Sequence, residues 1–355
     1  MRIAVTGASG NVGTAVLRSL LGHGHEVVAI ARRPPEGTGP YAAAHWHPVD
    51  LTADDAQGRL RSAFEGADAV VHLAWGFQPT HDIGYLEDLA LGGSTRVIAA
   101  VLEAGVPHLV HQSSLGVYSP APADDRPVDE TWPREGIASS PYSRHKVAVE
   151  KILDQVEADQ GELTVTRTRP VLIGQRSGAS GVLRYTVPAL VPAAVLRLLP
   201  LLPVDGRLRL QLIHADDVAN AIRLAIEQRV GGAFNLAADG VLRVEDLAGA
   251  LGAKHVPVPL RVVRRAADLT WRAHLQQVDV GWLDMAYHVP LLDNTRARVE
   301  LGWSPQRTSV QVLAEMVAAM QEAAADDTPS LRRRTVRDSL SRALRERPVA
   351  HRRLP

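Results

Sequence analysis

Short apolar runs alternate with longer segments of helical periodicity through the first half of the chain. Arg2–Thr6, Glu26–Ala31, His45–Val49, Asp68–Leu73 and His108–Ser113 are strand-like, each a brief, largely apolar run bounded by turn-forming residues. Between them Asn11–Leu21, Ala53–Phe64 and Tyr85–Ala104 repeat apolar residues at helical spacing. Apolar strands joined by helices predict a parallel sheet covered on both faces, a doubly wound α/β unit. Past a long helix opening at Pro141 and a strand at Leu163–Arg169, the alternation loosens. A strand at Arg209–His214 then leads into a helix over Ala215–Gln228, followed by a strand at Ala233–Leu236 and a helix at Val244–Leu251.

Composition narrows the field. Of 355 residues, 46% are apolar and 22% charged, a globular balance that excludes wholesale disorder. Lys+Arg and Asp+Glu both number 39, so the chain as a whole has no field to draw nucleic acid or an anionic membrane. Cysteine is absent, which removes disulfides, thiolate nucleophiles and Cys-ligated metals together. The pairs His23/His25 and His45/His47 have no third ligand nearby, and no metal site is expected. Val182–Val204 is greasy enough to suggest a membrane span. Arg184, Arg197, Pro188, Pro192, Pro200 and Pro203 interrupt it, and it reads instead as an apolar lid. Met1-Arg2 leads directly into the first strand without an apolar leader, which predicts a cytoplasmic protein. Ser330–Pro355 differs from the rest: it carries nine Arg against Asp338 and Glu346. It reads either as a solvated terminus or as a short helix that docks an anion or a partner.

The chemistry begins at Thr6-Gly7-Ala8-Ser9-Gly10-Asn11-Val12-Gly13, which joins the first strand to the first helix. Glycines at such a turn admit a pyrophosphate to the backbone, and the helix N-terminus supplies free N–H groups. The strand–turn–helix setting makes this a dinucleotide-binding candidate, with Thr6, Gly7, Ser9, Gly10, Asn11, Val12 and Gly13 as the lining. The second strand ends at Ala31 and is followed by Arg32 and Arg33, where an enzyme selective for NAD usually carries an acid. Guanidinium groups there suit a 2′-phosphate, so NADP is expected over NAD. Tyr142 and Lys146 lie one turn apart on the long helix, a spacing at which an ammonium lowers a phenol pKa. Ser113-Ser114 closes the preceding strand and brings hydroxyls toward the start of that helix.

Together with Val49-Asp50-Leu51, His72-Leu73-Ala74, Ile213-His214-Ala215-Asp216-Asp217, Phe234-Asn235-Leu236 and Leu301-Gly302-Trp303-Ser304-Pro305, these motifs resemble the extended short-chain dehydrogenase/reductases, the NAD-dependent epimerase/dehydratase family. The resemblance runs over about residues 1–320 and implies a Rossmann-type sheet with a smaller, mostly C-terminal substrate-binding domain. It divides the chain into a dinucleotide-binding unit at 1–169 to which 209–236 returns, a substrate region and lid at 170–208 and 237–325, and an Arg-rich tail at 326–355. It implies Tyr142 as general acid/base, Lys146 as its activator and ribose anchor, and Ser114 as the hydrogen-bonding partner of the reacting oxygen. Asp50 and Leu51 would border the adenine, and Leu73 and Ala74 would pass beneath the dinucleotide. Asp50 also reads as a simple turn residue, and His72, His214, Asp216 and Asp217 read as structural, either aspartate capping the helix that follows.

Three departures narrow the substrate. Leu115 and Gly116 stand where the family's 4,6-dehydratases carry an Asp-Glu pair, which disfavours sugar dehydration. Leu172 and Leu210 stand where nucleotide-sugar epimerases carry Asn and Arg against the diphosphate, and Ala90 replaces an Asn of the proton relay. The expectation is an NADP-dependent oxidoreductase acting on a carbonyl or alcohol of a small apolar molecule. The alternatives are a redox-neutral nucleotide-sugar epimerase and a non-catalytic NADP-binding sensor. A homodimer, with neither nucleic acid nor a membrane span, completes the reading.

Overall fold

The structure is a computed structural model and describes all residues except 37–38, 77–81, 160, 187–199, 274, 277 and 334–355. Strands β1 (Arg2–Thr6), β2 (Glu26–Ala31), β3 (His45–Pro48), β4 (Ala69–His72), β5 (His108–Gln112) and β6 (Thr164–Pro170) come from the first half of the chain. After them run β7 (Leu172–Gly174), β8 (Leu201–Val204), β9 (Arg209–Leu210), β10 (Leu212–His214), β11 (Gly232–Leu236), β12 (Leu242–Arg243) and β13 (Lys254–Pro257). The helices are α1 (Asn11–Gly22), α2 (Ala56–Phe64), α3 (Ile83–Glu87), α4 (Gly93–Glu103), α5 (Pro141–Asp159) and α6 (Ala179–Thr186). They continue with α7 (Ala215–Gln228), α8 (Val244–Leu251), α9 (Leu260–Arg272), α10 (Val280–His288), α11 (Thr295–Glu300) and α12 (Ser309–Gln321).

The expected doubly wound sheet is present. Seven strands lie in the order β11-β6-β5-β4-β1-β2-β3, every neighbouring pair parallel. Strand pleat sorts the core into two layers. Ile3, Val5, Val27 and Ala29 face one layer with α1 and α7, while Ala4, Val28 and Ile30 face the other with α2 and α4. The strand order reverses direction between β1 and β4, so a crevice opens at their carboxyl ends.

Several elements depart from the sequence expectation. Arg209–His214 is two strands, not one: β9 pairs antiparallel with β12, and β10 pairs parallel with β7. Gln211 between them brackets the backbone of Leu292, accepting from its N–H at 2.8 Å and donating to its carbonyl. Tyr85–Ala104 is not one regular helix: a π-helical turn at Asp88–Gly92 separates α3 from α4. There Gly93 lets the backbone pass Leu51, whose Cβ would lie 3.2 Å from any Cβ at 93. Neither Asp216 nor Asp217 caps α7; His214 does, accepting the Asp216 N–H at Nδ1. The end of the expected lid, Leu201–Val204, is β8, parallel to β13. The start of that lid (182–186) falls in α6, while its middle (187–199) and most of the basic tail (334–355) lie outside the described residues. Among the described residues no helix is long and apolar enough to cross a membrane.

Candidate active site

The turn after β1 is built around close backbone approach. Gly7 sits at φ +69°, and a Cβ there would lie 2.7 Å from the Ala74 nitrogen. A Cβ at Gly13 would lie 2.2 Å from the Gly7 carbonyl oxygen. Neither position tolerates a side chain, and the start of α1 at Gly10 carries no side-chain cap. A narrow turn ending in an uncapped helix N-terminus suits the pyrophosphate of a dinucleotide. The neighbouring hydroxyl of Thr6 is held by His72 Nδ1 at 2.7 Å, and His72 Nε2 lies 3.0 Å from Ser94 Oγ. Thr6 thus serves the β1–β4 junction through its side chain. Ser9 and Val12 are buried beside the turn. Asn11 is engaged from above: its amide donates to the Ile173 carbonyl, and Gln175 Nε2 donates to Asn11 Oδ1 at 3.1 Å.

The rim of the crevice beyond β2 combines candidates from three elements. Arg32 follows β2 and reaches the Tyr85 hydroxyl at 3.5 Å, while Arg33 is exposed. Burial pushes Tyr85 up from the ordinary phenol range, with Arg32 opposing. Asp50 Oδ1 accepts from the Thr52 N–H at 3.1 Å and from its hydroxyl at 2.9 Å, the turn role weighed for it from sequence. Leu51 is buried, and its carbonyl accepts from Arg96. Leu73 and Ala74 pass beneath the Gly7 turn: the Leu73 N–H donates to the Thr6 carbonyl, and Ala74 N lies 3.4 Å from Thr6 Oγ1.

At the carboxyl end of β5 the two serines part company. Ser113 donates to Glu150 at 2.5 Å and is bound into a buried ion network. Glu150 takes two hydrogen bonds from Arg169, at 2.9 and 2.6 Å, and another from Arg134. Burial opposes ionisation of Glu150, but Arg169, Ser113 and Arg134 outweigh it and bring the carboxyl down to about 2. Ser114 faces the other way. Its Oγ accepts the Gly116 N–H at 3.1 Å and is hydrogen-bonded with the Tyr142 side chain. A Cβ at Gly116 would lie 3.3 Å from Tyr142 Cε1 and 3.4 Å from Met285 Cε, so the backbone here runs close against the Tyr142 ring. Burial pushes the Tyr142 phenol up to about 12, with the Ser114 hydrogen bond pulling it back.

Lys146 shares the face of α5 with Tyr142, as the spacing requires, but its ammonium donates to the Gln112 carbonyl at 2.7 Å. It also lies 3.4 Å from the centroid of the Trp75 ring, a cation–π contact. Burial holds it well below the ordinary lysine range, Glu150 opposing. The expected direct pull of Lys146 on Tyr142 is not what sets the phenol here; burial is. Two aromatic residues missed from sequence complete the surroundings. Trp75 meets the Tyr142 ring edge-on at 6.1 Å, and Trp282 lies tilted at 5.2 Å. Trp75 directly follows Ala74 and was within reach of motif reading; Trp282 comes from α10, which carries no signal. Beyond them an open groove of about 620 Å³ lies between Ile137–Ser139, α9 and α10, and includes Arg207, Arg261 and Arg264.

A profile of the NAD dependent epimerase/dehydratase family matches residues 3–237. The chain belongs to that family. One relative, an uncharacterised protein of Mycobacterium tuberculosis, is 30% identical over 326 residues, 90% of this chain, and the chain spans only 30% of that protein's length. A 4-hydroxy-2-methyl-3-oxo-4-farnesyl-3,4-dihydroquinoline-1-oxide ketoreductase of Stigmatella aurantiaca is 27% identical over 335 residues, covering 88% of this chain and 95% of its own. Among solved structures, a UDP-glucose 4-epimerase of Stenotrophomonas maltophila with bound NAD superposes at a TM-score of 0.68. It is 22% identical and covers 91% of this chain and 98% of its own, a likeness of fold. The family profile ends just past β11, so the sheet, Ser114, Tyr142 and Lys146 lie inside it, while α8–α12, with Trp282 and Met285, lie outside.

Proposed function

We propose that this member of the epimerase/dehydratase family is an NADP-dependent oxidoreductase acting on a carbonyl or alcohol carbon of a small apolar substrate. The observation that carries this reading is the Tyr142–Ser114 hydroxyl pair, enclosed by Trp75, Trp282 and the Met285 methyl. That surface favours an apolar or ring-shaped group over a sugar diphosphate. The Gly7–Gly13 turn and the start of α1 would hold the pyrophosphate, Arg32 and Arg33 the 2′-phosphate, and Lys146 the nicotinamide ribose. Bound there, the nicotinamide supplies or accepts the hydride.

The chain's own residues handle the proton. A phenol pushed up to about 12 is fully protonated at neutral pH and therefore set to donate at a substrate oxygen during reduction. Ser114 Oγ accepts from Gly116 and shares a hydrogen bond with the phenol, so a substrate oxygen arriving beside the pair would take over that bond. Trp75 and Trp282 pack against the Tyr142 ring. The ketoreductase of Stigmatella aurantiaca acts, by its name, on a farnesylated quinoline, a relative in keeping with this substrate class. A panel of apolar ketones and aldehydes, followed by NADPH oxidation, tests the proposal. Turnover is expected with at least one aryl or alkyl ketone and is to fall about 100-fold or more in Tyr142→Phe, with NADPH affinity kept within about twofold. Residual turnover near wild type in that variant sinks the assignment.

One observation favours a second reading, a redox-neutral epimerase on an anionic sugar nucleotide. The groove beside the site gathers Arg207, Arg261 and Arg264. Arg207 is paired with Asp205 and Arg264 with Asp284, which leaves less positive charge for a diphosphate than the count suggests. Binding of a nucleoside diphosphate to that groove, abolished in Arg261→Ala, is the result that favours it.

A further inference from the structure

Helix α9 is held to the molecule along one side. At its start Asp205 accepts the Leu260 N–H at 2.8 Å, and a turn later Arg264 reaches Asp284 of α10 at 3.0 and 3.2 Å. Past its end, Gln276 donates to the Ala267 carbonyl at 3.0 Å and to the Thr270 hydroxyl at 3.2 Å. Residues 260, 264, 267 and 270 succeed one another at helical spacing and share that side. None of the 13 residues of the helix is buried.

The other side is amphipathic in its own right. Val262, Ala266, Leu269 and Ala273 fall on one stripe, all exposed; Val262 is 49% exposed, Leu269 68%, and Leu275 just beyond the stripe 67%. Beside it runs a second stripe of Arg261, Arg265, Asp268 and Arg272. Arg272 pairs with Asp268 at 3.0 Å, whereas among the described residues Arg261 and Arg265 form no ion pair. An apolar stripe edged by arginines is the pattern of a helix that lies in the plane of a lipid interface. Its apolar side chains enter the acyl boundary, and its guanidinium groups meet anionic headgroups. A second copy of the chain fits this face less well. Val262, Leu269 and Leu275 fall far short of the roughly 800 Å² per partner that a stable interface buries. A twofold contact would also bring the arginine stripes together.

We propose that α9 docks the protein on an anionic bilayer, laying Val262, Leu269 and Leu275 into its surface with Arg261, Arg265 and Arg272 on the headgroups. This deepens the reading of an apolar substrate and takes its purpose from it. Leu260, Arg261 and Arg264 also line the groove between α9, α10 and Ile137–Ser139, so docking brings that groove to the phase in which an apolar substrate dissolves.

Flotation of the full chain with vesicles tests this, using phosphatidylcholine alone and an equimolar mixture of phosphatidylcholine and phosphatidylglycerol. Wild type is expected to bind the mixed vesicles at least about 10-fold more tightly than the neutral ones. Leu269→Glu is expected to weaken that binding about 10-fold or more, and Arg265→Gln about fivefold. Both positions are exposed, so both variants should unfold at the wild-type urea midpoint. The chain has no cysteine, so a fluorophore on Leu269→Cys reports on this face alone. Its emission is expected to shift to the blue on mixed vesicles, while the same dye on Glu65→Cys, at the end of α2, stays unchanged. Absence of binding to either vesicle overturns the proposal. So does binding that survives Leu269→Glu without a shift at position 269, since another segment such as the Arg-rich tail then carries it. A dimer that Leu269→Glu splits, with no vesicle binding, overturns it in favour of a second copy. Each readout is independent of turnover, so failure here leaves the oxidoreductase reading in place, and failure of the ketone panel leaves the docking in place.

Discussion

Tyr142 is subject to two opposed influences, burial that raises its phenol and a Ser114 hydrogen bond that lowers it, and burial wins. The sign for chemistry follows. The protonated form persists through neutral pH, so carbonyl reduction should be insensitive to pH around 7 and decline only as pH rises toward the phenol's value. Ultraviolet difference titration of nucleotide-free wild type against Tyr142→Phe should show one tyrosine ionising near 12. Ionisation below 10 would mean that Lys146, not burial, governs the group. The Tyr142–Lys146 spacing was legible in the sequence because a helix fixes which residues share a face. Where the Lys146 ammonium points was not legible, since Trp75 beyond β4 and the Gln112 carbonyl at the end of β5 reach it from elsewhere in the chain. Ser113 and Ser114 were adjacent candidates; only the strand's alternation in space separated the one bound to Glu150 from the one facing Tyr142.

Between elements, the Glu150–Arg169 pair ties α5 to β6, with both side chains almost wholly buried. Arg169 also donates to the Tyr118 hydroxyl at 2.9 Å, and Tyr118 donates in turn to Asn235 of β11 at 2.6 Å. Glu150→Ala leaves a buried guanidinium without its main partner and should destabilise the fold by roughly 3–5 kcal/mol, measured by urea unfolding. A loss under 1 kcal/mol would show that Asp154 or solvent readily compensates. Gly7→Ala should act locally and differently. Its positive φ and the 2.7 Å approach to Ala74 N predict a loss of about 1–3 kcal/mol, together with loss of dinucleotide binding. The strands and helices around these positions were readable from periodicity because each is a local pattern. The break at Gln211 and the π turn at Asp88–Gly92 were not, because Leu292 and Leu51, which shape them, are distant in sequence.

Across the whole molecule, the alternation of strand and helix was enough to predict the parallel sheet, since right-handed crossovers leave few other arrangements. The small pairings β7–β10, β9–β12 and β8–β13 escaped prediction because two- to four-residue strands have no periodicity of their own. The buried histidines make stability a global function of pH. Burial lowers His72 to about 3 and His108 to about 4, below the ordinary 6.5 they regain on unfolding. The unfolded chain therefore binds protons that the native state excludes, and stability is complete above about 6.5 and lost as pH falls through that range. Urea midpoints should accordingly be level from pH 7 to 8 and lower at pH 5; a midpoint that rises on acidification would contradict the buried, neutral state of these rings.

The measurement that bears most directly on the account is the identity and amount of nucleotide carried by the purified protein, released by denaturation, together with the affinity of the emptied protein for NADPH and NADH. Little retained nucleotide and clearly tighter binding of NADPH are expected, as a reductase that exchanges its dinucleotide at every turnover requires. Near-stoichiometric retained NAD would contradict it, pointing to an enzyme that recycles one bound dinucleotide and removing the role given to Arg32 and Arg33.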